Sequence, residues 1–198
     1  MNPPSSSEAQ PLTLHDDACL AVESLCEFST AGERVEQYLE FLDLQPNGVW
    51  RENLPGHITA SALVVDEEFT NTLLTLHPKV GRWLQLGGHI EPGDVSVSEA
   101  AKREVIEESG LVPLWVTPVP IHLDTHPVPC GGQQARHWDV QYLAVCRNQE
   151  PIISIESLDL RWFPLDQLPA DLDASVQALI DSARQCWRAL GGQQMNHK

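Results

Sequence analysis

The stretch Gly87–Leu111, GGHIEPGDVSVSEAAKREVIEESGL, constrains this chain more than any other. Two adjacent glycines follow the strand-like WLQL, a polar turn carries Asp94, and a helix then begins. Ser96 and Glu99 stand in the S-x-x-E spacing of a capping box, and Gly110 stands where a helix C-terminus favours glycine. The spacing predicts a helix over Val97–Ser109. Residues three and four apart share a helix face, so Glu104, Glu107 and Glu108 fall within an arc of roughly 100°. Three carboxylates that close repel one another, and each favours its protonated form. A hard divalent cation with a preference for oxygen, Mg²⁺ or Mn²⁺, is the compensation this pattern calls for. A merely solvated acidic face would need no glycine turn, no carboxylate in the connecting loop, and no Arg103 directly before the first glutamate.

The flanking sequence supplies strands and further helices. The first twelve residues are polar and proline-rich and are expected to be a disordered tail, not a secretory signal. Residues 13–52 are expected to form a helical extension. HDDACLAVESLCEF spaces Ala18, Val22, Leu25 and Cys26 helically, and AGERVEQYLEFLDL puts Val35, Leu39 and Leu42 on one stripe beside Tyr38 and Phe41. From Gly56 the texture changes. HITASALVVD, NTLLTLH, WLQLGG, LWVTPVPIHLDTH, HWDVQYLAVC and LDLRWFPL read as strands, and PVPCGGQQAR reads as a flexible loop. A last helix places Val176, Leu179, Ile180, Ala183 and Trp187 on one face. Strands and helices interleave without a regular βαβ repeat, which predicts an α/β fold (α+β) with a mixed sheet covered by helices over 53–192.

Charge narrows the partners. The 198 residues carry 28 acidic and 12 basic side chains, a formal net charge of -16, which disfavours duplex DNA or RNA. The same sign would repel a phosphorylated ligand unless a cation stood between them. No apolar run is long enough to span a bilayer, so no membrane partner is expected. The five cysteines are odd in number and show no CxxC pair, which predicts small buried apolar residues without bridges and a reducing cytoplasm.

With these residues in view, the stretch resembles the Nudix hydrolase signature. Gly88 takes the signature glycine, HIEPG the five residues after it, Asp94 the acid position, and REVIEESGL from Arg103 to Leu111 matches the remainder. The family usually has glutamate where Asp94 stands, and the spacer VSVSEAAK has eight residues rather than seven. A shorter acid on a longer loop bears directly on whether Asp94 reaches Arg103. The resemblance implies an α/β/α sandwich and an enzyme that hydrolyses a pyrophosphate linkage in a nucleoside diphosphate joined to another group. It implies Mg²⁺ or Mn²⁺ held by Glu104, Glu107, Glu108 and the main-chain carbonyl of Gly87 or Gly88. Arg103 would position a glutamate, Glu107 or Glu108 would be the candidate base, and Glu91 would brace the loop.

Outside the signature, His122, Asp124 and His126 alternate on one strand, and His137, Asp139 and Gln141 on another. Two such strands joined by one loop would pair. His126, His137 and Asp139 are the candidates for substrate binding, for a second metal or for the base. Arg51, Asn53 and His57 read as a turn into a strand, and Trp83 and Trp138 as core residues able to stack on a base. The N-terminal helices are a candidate homodimer face. Two other functions share these residues. Isopentenyl diphosphate isomerases have this fold and metal-binding histidines, but they use a cysteine near the glycine loop, and none lies between Cys26 and Cys130. Nucleotide sensors of this fold bind without cleaving, typically with a broken signature.

Overall fold

A computed structural model describes residues 12–112, 114–130 and 133–189, so all but the last residue of the expected N-terminal tail lies outside the described residues. The spine is β1 (His57–Asp66), buried along its whole length, which is why its sequence is small and apolar instead of alternating with charge. It runs parallel to β7 (Gln133–Cys146) through ten consecutive pairs, from His57↔His137 to Asp66↔Cys146. The remaining pairings are antiparallel. Val64 and Val65 pair with β2 (Asn71–Leu76), and Thr59 to Ala62 pair with β4 (Leu86–His89). β3 (Trp83–Leu84) and β8 (Asp159–Pro164) pair with β2. β5 (Leu114–Val116) and β6 (His122–Cys130) pair with successive parts of β7.

Three strand expectations change. WLQLGG is two strands, because β3 follows β2 while β4 turns to β1. LWVTPVPIHLDTH is also two, since β5 and β6 meet β7 at different places. The loop expected over PVPCGGQQAR is largely strand: β6 runs to Cys130 and β7 begins at Gln133, and their cross-strand ladder absorbs the loop residues.

Alternation along β1 separates two cores. Ile58, Ala60, Ala62 and Val64 face one cluster, shared with α1 (Leu14–Glu23), α2 (Val35–Leu44) and α3 (Val97–Ser109). Leu63 and Val65 face the other, shared with α4 (Ala174–Ala189). The result is a mixed sheet between helical layers, as the sequence led us to expect. On α2 the buried face is Tyr38, Phe41 and Leu42, rotated from the expected Val35–Leu39–Leu42 stripe. The cause is aromatic: Phe41 stacks on Trp138 with ring centroids 4.5 Å apart, and the Tyr38 hydroxyl donates to the Asp139 main-chain oxygen at 3.0 Å.

The cysteine expectation is corrected. Cys26 and Cys186 form a disulfide, with Cα atoms 6.8 Å apart and a sequence separation of 160. The partners are brought together only when α4 packs against the segment after α1, so no local cysteine spacing announces them. Cys146 is free and buried. Among the described residues no helix is long and apolar enough to cross a membrane.

The N-terminal helices also hold α3 in place. Asp17 of α1 accepts the Val97 main-chain N–H at 2.7 Å, and Ser96 accepts that of Glu99 at 3.1 Å. Together they satisfy two of the donors left free at the start of α3, with negative charge at the positive end of the helix. The reciprocal half of the expected capping box is absent, and the Glu99 side chain lies 3.6 Å from the Lys102 ammonium instead. Asp17→Ala is expected to cost about 1 kcal/mol and to lower the melting temperature by about 3 °C. An unchanged thermal unfolding curve would contradict this capping role.

Candidate active site

The two glycines that lead into α3 are required for different reasons. Gly87 has φ +153°, and a Cβ there would lie 2.6 Å from the main-chain oxygen of Ala60 on the paired strand. At Gly88 a Cβ would lie 2.7 Å from the carboxylate of Glu104. The second glycine therefore leaves the space that the first signature glutamate occupies. β4 and α3 are thus in contact at the level where the acids stand.

Arg103 organises those acids. Its Nε and Nη2 each lie 2.9 Å from an oxygen of Asp94, and its Nη1 lies 2.9 Å from Glu104 Oε1 and 3.0 Å from Glu107 Oε2. Nη2 also donates to the His89 carbonyl at 2.9 Å. Asp94 thus reaches the arginine despite its shorter side chain and the longer spacer. It is turned inward by the Glu91 main-chain N–H, which it accepts at 2.8 Å. Glu91 braces the loop through its main chain, while its side chain is exposed. The Arg103–Glu107 contact at i, i+4 is a helix-surface ion pair and part of this network at once.

The carboxylates differ in environment. Glu107 is more than half exposed, whereas Glu104 is buried. Burial raises the Glu104 pKa, and the charges of Glu107 and Glu156 add to that, against the Arg103 guanidinium. Glu108 is pushed up to about 8 by burial first, then by Glu104, Glu156 and Glu107. Its Oε2 is buried with no hydrogen-bond partner. An orphaned buried carboxylate oxygen on the same helix face as Glu104 is the type of donor a hard divalent cation selects. The charge of Glu156, in the irregular segment before β8, adds to the rise in pKa of both Glu104 and Glu108. Its sequence surroundings carry no motif, so only the fold reveals it.

The expected His/Asp strands do pair: Asp124 lies opposite Asp139 and His126 opposite His137. Their side chains divide into separate groups. Asp139 is buried, and its carboxylate accepts from Thr59 at 3.0 Å, Ser61 at 2.6 Å, Gln141 at 2.7 Å and Gln85 at 3.1 Å, while burial raises its pKa. Asp124 binds Arg34 at 2.8 Å and His126 at 3.1 Å. Burial works against the Asp124 charge, but those hydrogen bonds hold it down to about 2. The bond to Asp124 raises the pKa of the exposed His126. His122 turns away to the Ser182 hydroxyl of α4 at 2.9 Å, and burial lowers it to about 4. His137, half-buried, meets His57 and His89, with ring centroids 4.9 Å and 5.3 Å away. Burial and the neighbouring imidazoles lower His137 to about 3 and His89 to about 4. His57, read from sequence as part of a turn, thus joins a histidine group. Trp138 and Trp83 pack against Phe41 and Phe163 in the core.

Known proteins bear on this geometry. The family model of the NUDIX domain matches residues 55–182. Among solved structures the chain is similar to a hydrolase of the NUDIX family from Clostridium perfringens. The identity is 28%, the TM-score 0.52, and the match covers 66% of this chain and 99% of that one. It is similar in fold to the NUDIX domain of Shewanella oneidensis NrtR in complex with ADP ribose (24% identity, TM-score 0.51, 65% and 86% covered). The C. elegans Ap4A hydrolase in a binary complex gives 20% identity and a TM-score of 0.51 over 69% and 98% of the two chains. No curated protein matches. The glycine turn, the arginine-braced glutamates of α3 and the family match over most of the sheet lead to one conclusion: the chain belongs to the NUDIX family of hydrolases.

Proposed function

We propose that the protein is a Mg²⁺-dependent hydrolase that cleaves a pyrophosphate linkage in a nucleoside diphosphate joined to a second group. One observation carries this reading: Glu104 stands against Gly88, Arg103 joins it to Glu107, and Glu108, one turn along the same helix from Glu104, keeps a buried oxygen without a partner. These three side chains, with the Gly88 carbonyl, would hold the cation. A bound Mg²⁺ supplies charge neutralisation of the diphosphate and a more acidic water. It also reverses the local field, which lets a protein of net charge -16 accept an anion.

The chain's own groups have distinct tasks in this scheme. Arg103 bridges Glu104 and Glu107 through one guanidinium nitrogen and keeps the glycine loop against α3 through the His89 carbonyl. Glu108 is the candidate base, because its buried oxygen has no protein partner. Glu107, more exposed, is the alternative base. Glu156, whose charge acts on the same cluster from the segment before β8, is a further candidate ligand. His126, on the strand paired with β7, is proposed to face the group attached to the diphosphate, while the buried Asp139 fixes β1 to β7 through Thr59 and Ser61.

The test is a panel of ADP-ribose, Ap4A, nucleotide sugars, nucleoside triphosphates and a prenyl diphosphate, with Mg²⁺ or Mn²⁺. Release of a nucleoside monophosphate or of phosphate is measured. Hydrolysis of at least one nucleoside diphosphate derivative, abolished by chelator, is expected. Tight binding of the whole panel without turnover would replace the enzyme by a sensor, and isomerised prenyl diphosphate would replace hydrolysis by isomerisation.

A further inference from the structure

We infer that His57, His89 and His137 form a binding site for a borderline divalent transition-metal ion, with Zn²⁺ as its representative, separate from the carboxylate cluster of α3. Each residue offers one ring nitrogen, and the three nitrogens lie within 4.8 Å of one another. Donors around a tetrahedral zinc ion sit about 3.3 Å apart at Zn–N distances near 2.0–2.1 Å. Small rotations of the rings therefore close the triangle onto an ion. All-nitrogen donors favour zinc, copper, nickel or cobalt over Mg²⁺, which selects oxygen.

Two further observations point to a ligand. His57 is fully buried, and its Nε2 has no hydrogen-bond partner. The Nε2 of His89 is buried and equally unpartnered. Buried polar atoms without partners are uncommon in native proteins, and two of them beside a third imidazole call for a shared occupant. The Nδ1 of His57 lies 3.4 Å from the Asn53 carbonyl, an acceptor that favours the proton on Nδ1 and the lone pair on Nε2. A histidine oriented through its other nitrogen by a carbonyl is the usual arrangement of a metal ligand.

The scaffold is rigid. His57 and His137 are the first of the ten pairs that join β1 to β7, and His89 pairs with Thr59, two residues along β1. His126, whose ring centroid is 5.5 Å from that of His137, stands exposed at the rim with its Nδ1 tied to Asp124. It is the nearest further donor for a fourth position, which water would otherwise fill. Bound there, the ion would pin β4, and with it Gly88, to the two central strands.

The site does not rest on the hydrolase assignment, and its test reads metal binding alone. Untagged protein is stripped with chelator and titrated with Zn²⁺ by calorimetry, with the bound metal counted after gel filtration. One Zn²⁺ per chain is expected. His89→Ala and His137→Ala, each with an unchanged circular dichroism spectrum, should bind it at least tenfold more weakly. The Glu104→Gln/Glu107→Gln double variant should retain it. Co²⁺ in place of Zn²⁺ should give the visible absorption of a four-coordinate nitrogen site in the wild type, a readout that stands even if the variants fail to fold. Equal Zn²⁺ affinity in wild type and histidine variants would overturn the inference. So would loss of Zn²⁺ in the glutamate variant alone, or a Co²⁺ spectrum no stronger than that of the aqueous ion.

Discussion

Glu108→Gln is expected to lower turnover by roughly 100-fold or more and, in the same protein stripped of divalent ions, to raise the melting temperature at pH 8. The first effect follows from losing a charge that the proposed reaction needs, whether the glutamate holds the cation or takes the proton. The second follows from the cost of that charge when nothing balances it. Glu108 has an ordinary value of 4.5 when unfolded and about 8 when folded, raised by burial and by Glu104, Glu156 and Glu107. Between those values the folded chain keeps a proton that the unfolded chain releases. Stability therefore falls as pH rises from about 4.5 to about 8 and is level above that. Glutamine removes the titration. The variant should match wild type near pH 4.5 and exceed it by roughly 10 °C at pH 8, in the presence of chelator. Mg²⁺ should narrow the gap by stabilising the wild type alone, and its binding should release protons. A variant that is inactive and also less stable at pH 8 would show that Glu108 serves the fold and not the ion.

Gly88→Ala and Gly87→Ala should fail in opposite ways. At position 88 the new methyl group meets the Glu104 carboxylate at 2.7 Å, the far end of a side chain that can swing aside. The protein should fold, with a loss of stability of about 1–3 kcal/mol, and lose activity by about 100-fold, because the displaced carboxylate leaves both Arg103 and the proposed cation. At position 87 the methyl group meets the main chain of β1, which cannot yield without breaking the ladder, and the backbone angle is itself unfavourable for alanine. Soluble yield and melting temperature should collapse. Full activity in Gly88→Ala would mean that Glu104 is not needed where it stands.

Much of this site was legible in the chain because it is local. The spacing of Arg103, Glu104, Glu107 and Glu108 maps onto one helix face by geometry alone, and the S-x-x-E and Gly110 signals bound that helix at the residues observed. Whether Asp94 would reach Arg103 was not legible, since it depends on how an eight-residue spacer turns. The histidine group was half legible. His137 stands out through its alternation with Asp139, but His57 reads as part of a turn into a strand. Its membership rests on the parallel pairing of β1 with β7, and a parallel pair leaves no signature in either strand. The effect of the Glu156 charge on Glu104 and the Cys26–Cys186 bridge are illegible for the same reason: each links distant segments, beyond any window of neighbouring residues.

The ten-pair union of β1 and β7 also sets a timetable. During synthesis β1 leaves the ribosome long before Gln133–Cys146 exists, and α3 emerges between them. Until the later strand arrives, one edge of β1 waits unpaired and the glutamate-bearing helix has no finished sheet beneath it. The nascent enzyme should therefore be inert toward its substrate, and in need of protection from aggregation, until β7 has been made and has joined β1.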